Sequence, residues 1–266
     1  MTQSIAWLQE EIANRMLQKL DIVKLEAQGV LIIPDFLGHH AQVLTRRFSR
    51  AAIYSVPEAN LFGFSLLRLR ASRFWNSRFK SSTKMSVSEY QKTGRIDLND
   101  QSVDLVFSDL LMQDLEDPQH FLQECWRVLR EGGLLTFSYL GPDTGKELRA
   151  QQCQHLPLKK LLSPWDMHDM GDALLAERFA DPVMDMEFLN LDYADSSVFI
   201  ADAIALNLMG STTKNGADLA QLPKILTLEV VYGHAWAIGK NLAKAKNQIA
   251  YIDPNQIIRK TRKELP

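Results

Sequence analysis

Carboxylates and an imidazole crowd one short stretch of the chain, where Asp166, His168, Asp169 and Asp172 stand close together. Such a set could hold a divalent cation, but zinc sites draw on further histidines or cysteines. None stands nearby in sequence, so no metal site is expected. Asp143 and Asp166 each precede a stretch with helical spacing, where a carboxylate accepts the orphan N–H groups of the first turn. With Thr144 they are candidates either for helix caps or for the wall of a substrate cleft. Ser108 and Asp109 follow an apolar run, and Asp35, Gly38 and Glu58 follow two others. His39 and His40 open a helical stretch and read as a surface pair. Cys125 and Cys153 lack CxxC spacing and fit two ordinary thiols of a reducing compartment. No catalytic residue is assigned.

These groups need a frame. Ile5, Leu8, Ile12, Met16 and Leu20 recur at helical spacing and predict an amphipathic opening helix. Residues 29–34, GVLIIP, read as a strand buried on both faces. Residues 39–49 look helical and 51–57 return as a strand, which makes a βαβ unit. A third strand is expected over 102–112 and a helix over 117–133, with Asp117 as N-cap and Pro118 in the first turn. A strand over 134–140 then runs into the turn Gly141-Pro142-Asp143. Helices follow from about Lys146, over 166–179 and over 196–210, with strands over 181–193 and 226–240. Alternation of this kind predicts a doubly wound α/β sheet, with ligands at the carboxyl ends of its strands. The chemistry then belongs after Ile33, Val56, Phe107 and Leu140.

The 46% hydrophobic and 23% charged content of the 266 residues excludes a disordered chain or a coiled coil. A net charge of −2 gives no reason to expect wholesale nucleic-acid binding. The opening residues lack the basic and apolar regions of a signal peptide, and no apolar run is long enough to span a bilayer. A cytoplasmic location is expected. Arg68, Arg70, Arg73 and Arg78 lie in a stretch without acids, interleaved with aromatics, which suits an acidic protein partner.

Residues 102–149, SVDLVFSDLLMQDLEDPQHFLQECWRVLREGGLLTFSYLGPDTGKELR, resemble the core of the class I S-adenosylmethionine-dependent methyltransferases. In that superfamily a strand of type DLVxS is followed by a helix ending RVLRPGG and a strand LLxFS. The blocks GPDTGKELR (141–149) and DMHDMGDALLAERFADPVMD (166–185) narrow the resemblance. They are similar to the malonyl-acyl-carrier-protein O-methyltransferase family of biotin synthesis and its relative, the methyltransferase-like complex I assembly factor. The resemblance spans about residues 5–240. It implies a Rossmann-like, mostly parallel seven-stranded sheet with helices on both faces. It also implies a methyltransferase-like domain over 1–240, with a small helical substrate-side cap within 141–220, and leaves a basic tail at 241–266.

The implied cofactor is S-adenosylmethionine, which the superfamily holds by an acid and then G-x-G-x-G after the first strand. Here Ile32 stands at the acid, Pro34 and Phe36 replace two glycines, and only Gly38 remains. A second acid, ending the second strand, grips the ribose hydroxyls; its place falls at Val56, with Glu58 two residues on. Losing such bonds costs about 2–3 kcal/mol. A third acid, beside the adenine, aligns with Lys92, and Gly94 and Asp97 stand at two other places of that stretch. Weak or lost donor binding is therefore expected, with action through protein binding and Asp35, Gly38, Glu58, Ser108 and Asp109 as the remaining donor-side candidates. The resemblance puts Asp143, Thr144, Asp166, His168 and Asp169 on the substrate side. It implies acyl carrier protein as the partner of the arginine-rich stretch and allows a homo- or hetero-oligomer. Two other roles stay open: an active enzyme esterifying malonyl-acyl carrier protein, and an assembly factor for a respiratory complex.

Overall fold

Helix α1 (Ala6–Lys19) turns Leu8, Ile12 and Met16 inward, as their spacing requires, and packs them against a sheet. In the computed structural model the described residues are 5–36, 38–58, 85–149, 157–159, 165–210, 222–240, 245–246 and 249–250. After α1 come β1 (Gly29–Asp35), α2 (His39–Arg47), β2 (Ala52–Pro57) and α3 (Val87–Thr93). Then follow β3 (Val103–Ser108), α4 (Pro118–Val128), β4 (Leu129–Leu140), α5 (Met167–Ala176) and β5 (Ala180–Asp192). Helix α6 (Ser196–Ala205) and β6 (Ile225–Ala237) complete the sheet, and a small hairpin pairs β7 (Ala245–Lys246) with β8 (Ile249–Ala250).

The strands run β2-β1-β3-β4-β6-β5. The first four are parallel; β6 enters antiparallel between β4 and β5. Side chains of β1 alternate between two cores: Val30 and Ile32 face α1, α2 and α6, while Leu31 and Ile33 face α3, α4 and α5. Each such fully buried aliphatic side chain contributes roughly 1.5–3 kcal/mol. Ion pairs from Arg15 to Glu187 and from Lys19 to Asp185 tie α1 to the edge strand.

Several expectations are corrected. The sheet has six strands among the described residues rather than seven. Each apolar or alternating run of the sequence became one strand, and the seventh had come from resemblance alone. The helix expected over 117–133 stops at Val128, because Leu129 is extended and pairs with Val103. Asp117 does cap it, accepting from the His120 N–H at 2.9 Å, with Pro118 in the first turn. The third strand ends at Ser108, since Leu110 adopts φ +50°. Of the helix expected from about Lys146, the described residues hold a 3-10 turn, Lys146–Arg149, and the helix over 196–210 ends at Ala205. Arg68, Arg70, Arg73 and Arg78, Cys153, and nearly all of the tail lie outside the described residues. Among those described, no helix is long and apolar enough to cross a membrane.

Candidate functional site

The carboxyl ends of β1 to β4 converge on a cleft of about 280 Å³. That is just under the range of ordinary small-molecule pockets, roughly 300–1,000 Å³. Pro34 and Phe36 line it from β1, Glu58 from β2, Leu110 and Leu111 from β3, and Leu140 from β4. Ile5 and Gln9 close it from the α1 side, Gln91 from α3 and Asn207 from beyond α6. Burial pushes the Glu58 carboxyl above the usual range, and the nearby charge of Asp114 adds to this. Burial also raises Asp114, against hydrogen bonds from the amides of Asn207 at 3.0 Å and Gln113 at 3.4 Å.

Behind that cleft the strand ends carry a second, fully enclosed set of polar groups. Asp35 ends β1, accepts from Ser55 Oγ at 2.5 Å and meets the Ala41 N–H at 3.3 Å. Asp109 follows β3 and accepts from Ser138 Oγ at 2.5 Å, while the same Oγ accepts from the Leu110 N–H at 3.0 Å. Between the two carboxylates lies His40, with Nδ1 3.8 Å from Asp35 Oδ1 and Nε2 3.1 Å from Asp109 Oδ2. The last contact is close but lacks the in-line direction of a hydrogen bond, and neither Nε2 nor Oδ2 has another partner among the described residues. Phe36 and Phe107 flank the imidazole, each ring centroid 5.5 Å away. Burial, the largest influence, opposes charge on His40; the hydrogen-bonding proximity and charge of Asp109, then the charge of Asp35, outweigh it and raise the pKa.

His39 and His40 are thus not a surface pair: His39 is exposed at the helix start as expected, but His40 is buried, 4% exposed. A signal was available, because Ala41 and Leu44 mark the inward face of α2 and His40 lies four residues before Leu44. Gly38 serves as N-cap of α2 at φ +82°.

The glycine cradle of the superfamily is absent from this loop. Pro34 has no N–H to offer, and the Phe36 N–H points to His40 Nδ1 at 3.4 Å. The Phe36 ring is itself buried, 7% exposed, against the imidazole. Val56 is fully buried, leaving Glu58 as the β2 residue that reaches the cleft. Gln91, not Lys92, lines it from α3. The residues of the β1 loop therefore do not fit S-adenosylmethionine in the manner the superfamily uses.

The substrate-side candidates are placed away from this cleft's lining. Asp166 Oδ1 accepts from the N–H groups of His168 at 2.7 Å and Asp169 at 2.8 Å, which holds its carboxyl below the usual range. Replacing it by alanine is expected to cost about 1 kcal/mol of stability in urea unfolding, as lost caps do. Ligand affinity at the cleft should be unchanged. Asp143 lends its N–H to Glu229 Oε2 at 2.6 Å, and Thr144 Oγ1 donates to the Glu229 carbonyl at 3.2 Å and accepts from the Glu229 N–H at 3.1 Å. These contacts pin the Gly141–Gly145 turn to β6. Ser108 is fully buried, and its Oγ has no hydrogen-bond partner among the described residues.

Residues 69–137 match a family model described as a methyltransferase domain. The chain is 35% identical to malonyl-acyl-carrier-protein O-methyltransferase 1 of Coxiella burnetii, over 92% of this chain and 86% of that protein. Among solved structures, the YcgJ protein of Bacillus subtilis superposes with TM-score 0.56 at 13% identity, covering 86% of this chain and 99% of that one. Phosphoethanolamine N-methyltransferase 2 of Haemonchus contortus, in complex with S-adenosyl-L-methionine, superposes with TM-score 0.51 at 14% identity. It covers 85% of this chain and 53% of that chain. These two likenesses establish the Rossmann-like methyltransferase fold.

Proposed function

The chain belongs to the malonyl-acyl-carrier-protein O-methyltransferase family, and from that premise we propose that it keeps the family fold while holding the methyl donor weakly, acting mainly by binding a protein. By family the donor is S-adenosylmethionine. One observation carries this reading. The space after β1 is filled by the buried side chains of Phe36 and of His40 from α2, and the polar groups there are spent on Asp35, Ser55 and Asp109. A ligand entering there must displace an aromatic ring and break that set. The bound protein we infer to be an acidic acyl carrier, which suits the relative's name and the run of arginines from Arg68 to Arg78.

Calorimetric titration of the full chain with S-adenosylmethionine at pH 7 tests it. Half-saturation in the range of about 0.1–1 mM or weaker is expected, where loss of one charged acceptor alone removes roughly 30- to 150-fold. Micromolar affinity overturns the reading.

Glu58 favours the alternative, an active enzyme esterifying malonyl-acyl carrier protein. It is the β2-end carboxylate that reaches the cleft, near the amides of Gln91, Gln113 and Asn207. Carboxylates make strong charge-assisted bonds to hydroxyls. Under this second reading the donor binds at micromolar concentration and Glu58→Gln weakens it at least tenfold.

A further inference from the structure

Two buried polar atoms near the end of β3 are left without partners. Nδ1 of His40 accepts from the Phe36 N–H at 3.4 Å, which puts the proton of the imidazole on Nε2. Nε2 lies 3.1 Å from Asp109 Oδ2 but off line, and neither atom has a hydrogen-bond partner among the described residues. The neighbouring carboxylate oxygens are in use. Asp109 Oδ1 accepts from Ser138 Oγ, Asp35 Oδ2 from Ser55 Oγ, and Asp35 Oδ1 from the Ala41 N–H. One free donor and one free acceptor therefore stand side by side, and a hydroxyl group answers both at once.

His40 lines a cavity of about 140 Å³ between α1 and α2, separate from the cleft at the strand ends. The buried part of its wall is mostly apolar: Ala13 of α1, Leu44 of α2, and Phe36 and Phe107 on either side of the imidazole. Polar and charged groups, Glu10, Gln42 and Arg46 among them, stay exposed at the rim. An apolar cavity of roughly 150 Å³ takes one benzene ring. The aromatic walls suit a ring in edge or tilted contact.

We propose that this cavity is a binding site for a small phenol. Its ring rests on the apolar wall, and its hydroxyl accepts from His40 Nε2 and donates to Asp109 Oδ2. An oxygen within hydrogen-bond distance of Nε2 on the cavity side also comes within reach of Oδ2, because the two atoms are only 3.1 Å apart. Phe36 and Gln9 line this cavity and the cleft alike, so the two pockets share a wall. The proposal goes beyond the donor reading and stands apart from it.

The experiment is titration of the full chain with phenol and, separately, with toluene, which has the same shape without the hydroxyl. Calorimetry gives the affinities, and NMR of the wild type locates the site without any variant. Phenol should saturate one site at about 0.1–1 mM, shifting the His40 imidazole nitrogens and the Ala13 and Leu44 amides. Toluene should bind at least tenfold more weakly, since it leaves the donor and the acceptor unpaired. Val43 lines the cavity and is 38% exposed, so Val43→Trp closes the mouth without disturbing the core. That variant should lose at least tenfold in phenol affinity at an unchanged unfolding midpoint, and His40→Phe should lose the preference for phenol over toluene. No saturation by phenol up to about 10 mM overturns the proposal. So do equal affinities for the two ligands in the wild type, or shifts confined to the cleft residues Gln91 and Asn207. Each of these outcomes leaves the weak-donor reading to its own titration.

Discussion

Replacing Arg127 by methionine is expected to destabilise the fold by roughly 2–3 kcal/mol, short of the cost of breaking a fully buried ion pair because the guanidinium is only partly buried. The guanidinium lies in a nest of five acceptor contacts. It donates to both carboxylate oxygens of Glu124 at 2.7 Å, to Asp100 Oδ1 at 2.8 Å, and to the carbonyls of Ile96 and Leu98 at 2.8 Å each. Glu124 is 8% exposed and also accepts the Ile96 N–H at 2.8 Å. Without Arg127 only the charge of Arg95 is left to face it, and the loop over residues 95–101 loses three anchors, at Ile96, Leu98 and Asp100, just before β3. Urea unfolding followed by circular dichroism measures the loss as a lower midpoint at unchanged slope. Removing both partners as Arg127→Met with Glu124→Leu should recover most of it, because an apolar pair leaves no stranded charge.

The pH dependence has a definite sign. Burial raises the Glu124 carboxyl, but the hydrogen bonds from Arg127 and from the Ile96 N–H, with the Arg127 charge, bring it below its ordinary value. A carboxyl lowered in the folded state contributes stability that is complete above its unfolded pKa, near 4.3, and lost as pH falls through the folded value. The wild type should therefore weaken below about pH 4. In Arg127→Met that limb should flatten, since the native carboxyl no longer differs in this way from the unfolded one.

Gly233→Ala is the second large effect. Gly233 of β6 faces Phe137 of β4 across the antiparallel ladder. A Cβ built there would lie 2.3 Å from Phe137 Cζ and 2.8 Å from both Cε atoms. The ring cannot easily yield: Phe137 is fully buried and stacks on Tyr139 at 6.2 Å. Overpacking of this kind costs about 3 kcal/mol or more, at the upper end for inserted methyl groups in a dense core. Adding Phe137→Leu should return part of the loss, a favourable coupling that denaturant midpoints of the two singles and the double reveal. Gly132 makes a useful contrast. Nothing lies within 4 Å of its Cβ position, so alanine there meets only the strain of φ +75°, roughly 1–2 kcal/mol.

The sequence and the structure divided the work unevenly. Apolar runs and helical spacing located all six sheet strands and the amphipathic face of α1, since side-chain period is a local property of the chain. Asp117 and Asp166 could be named as caps for the same reason: a cap is satisfied within three residues of itself. The end of α4 at Val128 was not legible, because Leu129 is held in β4 by Val103, a partner distant in sequence.

At the site, the departure from the superfamily's glycines was plain from Pro34 and Phe36, and family membership followed from residues strung along most of the chain. What fills the vacated space was not. His40 lies on α2, Ser55 on β2, Asp109 beyond β3 and Ser138 on β4, and no spacing along the chain relates them. Only the parallel order of the strands brings their carboxyl ends together. Local pattern determined which segments fold and how; the burial of a histidine between two carboxylates is a property of contacts between segments, so tertiary structure alone decided it.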